Sequence, residues 1–198
     1  MQKFLQATEY IDYNSEIIQN KAMELFNENM SNAEKARIAY EFVRDEIPHS
    51  FDCNAKIITA KASEVLKHKT GICHAKANLL TALLRLQGIP TGFCFQRLTL
   101  LDDDSMGYGV HAYNAVFLEN KWIKLDARGN KKGVNAQFSM GEPILAFPVR
   151  ADYDECFYKG IYAYSHMPSM QMLEKAKSIQ DIRENIPDVV TEKPDIQE

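Results

Sequence analysis

Thr70-Gly71-Ile72-Cys73-His74-Ala75-Lys76-Ala77-Asn78-Leu79-Leu80 is the stretch from which the fold is read. Thr70-Gly71 interrupts whatever precedes it. The run from Ala75 to Gln87 then continues without a breaker, until Gly88 stops it and Pro90 forbids its resumption. Ala75, Leu79, Ala82, Leu83 and Leu86 recur at helical spacing, so the helix is buried on at least one side. Cys73 falls in its first turn. Unpaired backbone N–H groups and the positive end of the helix dipole favour a thiolate there. A nearby imidazolium would lower the thiol further, from about 8.5 towards neutrality or below. A lone Cys among apolar residues is more commonly a small inert hydrophobe, so the helix alone does not make Cys73 a nucleophile.

The whole chain sets limits on partners. Its 198 residues are 45% hydrophobic and 25% charged, the balance of a globular domain with one sizeable core. The net charge of −4 and the absence of a basic run beyond Lys131-Lys132 argue against nucleic acid. No apolar run approaches the ~18 residues that span a bilayer, and Met1 to Gln6 lacks the apolar core of a signal peptide. Cys53, Cys73, Cys94 and Cys156 form no C-x-x-C pair, so neither a disulfide framework nor a zinc ribbon is expected. The expected setting is reducing and cytoplasmic, with free thiols and no metal.

In chain order, residues 1–13 read as an extended arm. A first helix runs from Asn14 or Ser15 to about Asn27. Ser31-Asn32-Ala33-Glu34 has capping-box spacing and opens a second helix to Ile47, where Pro48 ends it. Ser63 to His68 is a short helix leading into Thr70-Gly71. Thr91 to Leu101 is a strand, and Asp102-Asp103-Asp104-Ser105 is a solvated acidic turn without EF-hand spacing. His111 to Leu118 and Lys121 to Asp126 form a hairpin about Glu119-Asn120. Short strands are expected at Ala146 to Arg150 and Gly160 to Tyr164, and a last helix from Ser169 to Ser178 after Pro168. The polar, Pro-interrupted stretch 187–198 reads as a flexible tail, and 1–186 as one domain.

The hairpin gives Cys73 a candidate base. With the turn at Glu119-Asn120, paired positions sum to about 239, so His111 lies opposite about Arg128 and within two ladder positions of Asp126. Such diagonal neighbours are about 7–8 Å apart at the backbone, within side-chain reach. An Nδ1–H to carboxylate bond is the expected contact, fixing the tautomer and charge of the base. Spacing does not bring Cys73 to the same end. Each residue also has a plain structural role: His111 as a hydrogen-bonded strand residue, Asp126 as a turn former, Tyr113 and Trp122 as core aromatics. His74 projects about 100° from Cys73 around the helix and is a poor base for it. His49, His68 and His166 have no recognisable context.

Gly71-Ile72-Cys73 opening a helix that ends Leu83-Leu84-Arg85-Leu86-Gln87-Gly88-Ile89-Pro90 resembles the nucleophile segment of the transglutaminase-like superfamily. His111-Ala112-Tyr113 and Lys121-Trp122-Ile123-Lys124-Leu125-Asp126 are similar to its His and Asp strands. The resemblance covers about residues 32–130. It implies a papain-like α+β fold, N-terminal helices with the nucleophile helix packed on an antiparallel sheet, and a Cys73–His111–Asp126 triad. It implies acyl transfer through a Cys73 thioester, from amide bonds of peptides or proteins to water or an amine, with no cofactor. Tyr113 and Trp122 would be the substrate-lining candidates. The Cys73 backbone N–H would be one oxyanion donor, with the second unidentified. Tyr113 stands where many relatives carry Trp, and no calcium-binding segment is seen. The rival expectation is a non-catalytic peptide- or protein-binding module of the same fold. Acyl transfer from a small thioester, as in arylamine acetyltransferases, is a third.

Overall fold

The computed structural model describes residues 1–101 and 103–197. Asp102 of the acidic turn and Glu198 of the tail lie outside the described residues. Helices α1 (Glu16–Leu25), α2 (Asn32–Glu46) and α3 (Ala62–His68) gather around α4 (Cys73–Leu86). The sheet is antiparallel, in the order β3-β2-β1-β4, from β1 (Thr91–Thr99), β2 (Tyr108–Leu118), β3 (Lys121–Leu125) and β4 (Cys156–Tyr162). The result is an α+β fold in which α4 packs on the sheet, as expected from the sequence.

The local signals at α2 act as read. Ser31 Oγ accepts from Glu34 N at 3.2 Å and Glu34 Oε2 accepts from Ser31 N at 2.8 Å, closing the capping box. Tyr40, Val43 and Ile47 are fully buried against the core. At the hairpin, Glu119 and Asn120 take φ of 49° and 63°, and the pairs run from Leu118↔Lys121 to Asn114↔Leu125. Consecutive positive φ values give the turn the twist that an antiparallel hairpin needs.

Helix α4 is buried on every side from Cys73 to Arg85, polar residues included. Each polar side chain finds a partner on a neighbouring element. Asn78 Nδ2 donates to Ala60 O at 2.8 Å, and its Oδ1 accepts from Ser165 Oγ at 2.7 Å. Thr81 Oγ1 accepts from Asn114 Nδ2 of β2 at 2.9 Å. Arg85 fans out to the carbonyls of Gln6, Thr91 and Ala163. Buried polar groups of this kind are costly unless bonded, and bonded they fix the register of the helix against its surroundings.

Three elements differ from the sequence reading. The N-terminal arm is a 3-10 turn, Gln2–Leu5, that buries Phe4, followed by chain that buries Tyr10 and Ile11. Ala146 to Arg150 forms no strand; side chains and single backbone bonds hold it. The last helix is two: α5 (Met167–Lys175), which takes Pro168 into its first turn where no N–H is missed, and α6 (Ile179–Asn185). Ser178, read as the end of one helix, is instead the N-cap of the next, accepting from Asp181 N at 3.1 Å. The stretch from Pro187 is bonded to the body at Pro187 O by Val110 N (2.7 Å) and at Ile196 O by Ile161 N (2.9 Å).

Candidate active site

The sheet and α4 meet where β3 ends. Leu125 is the last residue of β3 to pair, opposite Asn114, so among the described residues no strand lies beside the β2 edge from Val110 to Ala112. Backbone N–H groups alternate sides along a strand. Those of Val110 and Ala112 face the vacated edge. Pro187 O takes the first, and the Cys73 sulfur accepts from the second. The N-terminus of α4 thus seats its thiol against a strand edge, next to His111.

His111 lies between the other two residues. Its Nε2–H donates to Asp126 Oδ2 at 2.8 Å. The ring also hydrogen-bonds the Cys73 sulfur, and with Nε2 engaged that contact belongs to Nδ1. The expected imidazole–carboxylate contact is therefore present, made by Nε2 in place of the expected Nδ1. Asp126 is held from two more directions: Oδ1 accepts from Arg128 N at 3.1 Å and Oδ2 from Ala146 N at 3.0 Å. Phe147 packs edge-on to the His111 ring at 5.3 Å, and Gln96 Nε2 anchors the Phe147 carbonyl at 3.0 Å. The stretch that failed to become a strand covers the site instead.

All three side chains are nearly sealed, with 8%, 6% and 1% of Cys73, His111 and Asp126 exposed. Burial alone would raise the Cys73 thiol, but the charge and hydrogen bond of His111, with the Ala112 N–H, hold it below the usual thiol range. Burial alone would lower His111, yet Asp126 and Cys73 together raise it to about 10. For Asp126, the opposing His111 charge and the two backbone N–H bonds overcome burial and keep the carboxyl below its ordinary value. Each of these shifts favours the charged form of its group: thiolate, imidazolium and carboxylate.

The other residues singled out in the sequence are distributed as follows. Tyr113 is buried, its ring 6.4 Å from that of His111. Trp122 packs on Phe4 and Phe117 at 5.0 and 5.4 Å. His74 turns away from Cys73 and sits within 2.9 Å of Val110 O and 3.1 Å of Ser169 Oγ, where burial first and His166 second lower it to about 3. His68 is exposed at the end of α3. His49 is the residue that sequence reading passed over. Its Nε2 accepts from the Cys73 backbone N–H at 3.2 Å, so the expected oxyanion donor is already engaged. The only sequence signal was its position after Pro48, which releases the chain from α2 towards Gly71. Two surface clefts, of about 340 and 430 Å³, are lined by none of Cys73, His111 and Asp126.

Among solved structures, this chain is similar to a candidate cysteine protease from Cytophaga hutchinsonii, with 18% identity over 63% of this chain and 40% of that one and a TM-score of 0.49. It is also similar to an arylamine N-acetyltransferase from Bacillus cereus that has a Cys-His-Glu triad: 11% identity over 57% of this chain and 49% of the other, TM-score 0.41. A third likeness is to a transglutaminase, at 15% identity over 67% of this chain and 35% of the other, TM-score 0.41. The chain spans less than half the length of each. No curated protein matches it. The sequence profile of the transglutaminase-like superfamily matches residues 19–127, from the first helix through the residue after Asp126, and the chain belongs to that superfamily.

Proposed function

We propose that the chain is a cysteine-dependent acyl-transfer enzyme acting on amide bonds of peptides or proteins, by hydrolysis or transamidation. The observation that carries this reading is the His111 ring bonded to Asp126 on one side and to the Cys73 sulfur on the other. In the proposed cycle the Cys73 thiolate attacks the amide carbonyl carbon and the carbonyl π pair moves onto oxygen. His111 gives its Nδ1 proton to the departing amine, leaving a thioester on Cys73. Neutral His111 then takes a proton from the attacking water or amine, and collapse of the second adduct returns the thiolate. Asp126 keeps its charge throughout and holds the imidazole. Membership of the superfamily supports the class of reaction. Cys53, Cys73, Cys94 and Cys156 form no disulfide, consistent with the reducing cytoplasmic setting that is part of the proposal.

Labelling with iodoacetamide against pH, read by mass spectrometry, tests the ionisation. At pH 6 an ordinary thiol has about one thiolate in 300. Cys73 is expected to label about tenfold faster than Cys53 and Cys156, which are exposed, the gain being partly offset by the weaker nucleophilicity of a low-pKa thiolate. His111→Ala is expected to erase the preference. Labelling of Cys73 no faster than its neighbours at pH 6 would sink the reading. It would favour the non-catalytic peptide-binding module, for which the near-complete burial of Cys73 is the supporting observation.

A further inference from the structure

His49 is placed with more care than a loop residue requires. It forms a parallel bridge with Gly71, and Ser50 N donates to Gly71 O at 3.1 Å, tying the loop to the segment that enters α4. The His49 carbonyl accepts from Asp52 N and Cys53 N at 2.8 and 3.2 Å. Asp52 in turn pairs with Arg128, whose N–H holds Asp126, and with Lys131 at 2.7 Å. One short loop therefore joins the nucleophile helix to the carboxylate of the triad, with the buried His49 ring at its centre.

The ring faces two backbone donors. Nε2 lies 3.2 Å from Cys73 N and Nδ1 lies 3.4 Å from Phe51 N. Burial, then the Arg128 and Lys76 charges, keep the imidazole neutral, outweighing Asp52. A neutral imidazole has one N–H and one accepting nitrogen, so it can satisfy only one of those donors at a time. With the proton on Nδ1 it covers the Cys73 N–H. With the proton on Nε2 it accepts from Phe51, and the Nε2–H and the Cys73 N–H, on nitrogens 3.2 Å apart, then repel each other until both turn to one shared acceptor. A carbonyl oxygen gaining negative charge above Cys73 is the acceptor that fits.

We infer that His49 supplies the second oxyanion donor of this site, its Nε2–H acting beside the Cys73 N–H. The inference rests on the acyl-transfer reading of the triad. During acylation the Cys73 Sγ–C bond forms as the carbonyl π pair moves onto oxygen, and that oxygen is held by the two donors until the leaving group departs.

Two reactions of the full-length protein separate this role from a structural one. Iodoacetamide alkylates Cys73 by displacing iodide at a saturated carbon and develops no oxyanion. p-Nitrophenyl acetate acylates Cys73 through one, expelling p-nitrophenolate and leaving an acetyl thioester. His49→Ala is expected to slow the p-nitrophenolate burst by about 10²–10³-fold and to leave alkylation within about threefold of wild type. His49→Gln, which brings an amide N–H to a similar reach, is expected to recover at least a tenth of the wild-type burst rate. His49→Leu keeps the buried volume without a donor and reads the same ratio if the alanine variant does not fold. Equal slowing of both reactions means that His49 only positions the helix, and no slowing of either means that it does nothing at the oxyanion. Each overturns the inference, as does wild-type protein that alkylates rapidly yet is not acylated. Wild-type protein whose Cys73 reacts rapidly with neither reagent overturns the acyl-transfer reading itself.

Discussion

Asp126→Asn is expected to slow acylation of Cys73 by about 10³–10⁴-fold, the scale of an orienting carboxylate in other triads. Asp126 accepts from three donors: His111 Nε2–H and Ala146 N on Oδ2, and Arg128 N on Oδ1. An asparagine has one accepting atom. If its NH₂ replaces Oδ2, it meets the Ala146 N–H and forces His111 Nε2 to accept. The imidazole proton then sits on Nδ1, where the base must be free to receive one. If the NH₂ replaces Oδ1, it meets the Arg128 N–H, and the negative charge that keeps His111 protonated is lost in either case. Burial then dominates His111 and the thiol rises towards its ordinary value. The variant should therefore lose rapid alkylation at pH 6 together with acylation, unlike His49→Ala, in which only acylation falls. It should also lose about 1–3 kcal/mol of stability in urea unfolding, for the backbone N–H left unpaired. Acylation within tenfold of wild type would mean that Asp126 does not hold the base.

The comparison of these two residues shows why part of the site was legible in the sequence and part was not. His111 and Asp126 are joined by a two-residue turn, and a ladder of fixed pairing sum carries the geometry from Glu119-Asn120 to the strand ends; the pairs do run at that sum. His49 reaches Cys73 across a gap of 24 residues, through a loop whose path is set by α2, Gly71 and the Asp52–Arg128 pair. No local periodicity encodes such a contact. The same holds for α4. Its spacing of Ala75, Leu79, Ala82 and Leu83 reveals one apolar face, while Lys76, Asn78, Thr81 and Arg85 look like a solvated one. They are buried because each meets a carbonyl or side chain from a distant element, and those partners come only from the tertiary fold. Ser178 is a different case: a capping serine three residues before Asp181 was readable, and the continuous polar pattern hid the break before it.

Lys76 carries the largest effect expected on stability. It is fully buried, and its ammonium donates to Ile47 O and, at 3.4 Å, to Arg44 O, carbonyls at the C-terminal end of α2 that have no partner within the helix. The negative end of the helix dipole favours a cation there. Burial works against it, Arg128 adds repulsion, and Asp126, Asp45 and Asp52 compensate only in part, so the amine is lowered to about 7. In the unfolded chain the same amine holds its proton to about 10.4. Between those values the unfolded state binds more protons than the native one, so native stability rises with pH. The cost of the buried amine is fully present below about 7 and vanishes above the unfolded value; its full size is on the order of 4 kcal/mol. Lys76→Met keeps the volume and removes the titration. Urea unfolding at pH 7 and pH 9.5 should show wild type gaining about 3 kcal/mol relative to the variant over that interval. His111 titrates in both proteins and cancels to first order in the difference. Parallel stability curves would mean that the ammonium stays charged throughout, held by the α2 carbonyls and the surrounding aspartates. Lys76 would then be a fixed positive charge behind Cys73, His111 and Asp126, acting on His49 together with Arg128 across the whole interval.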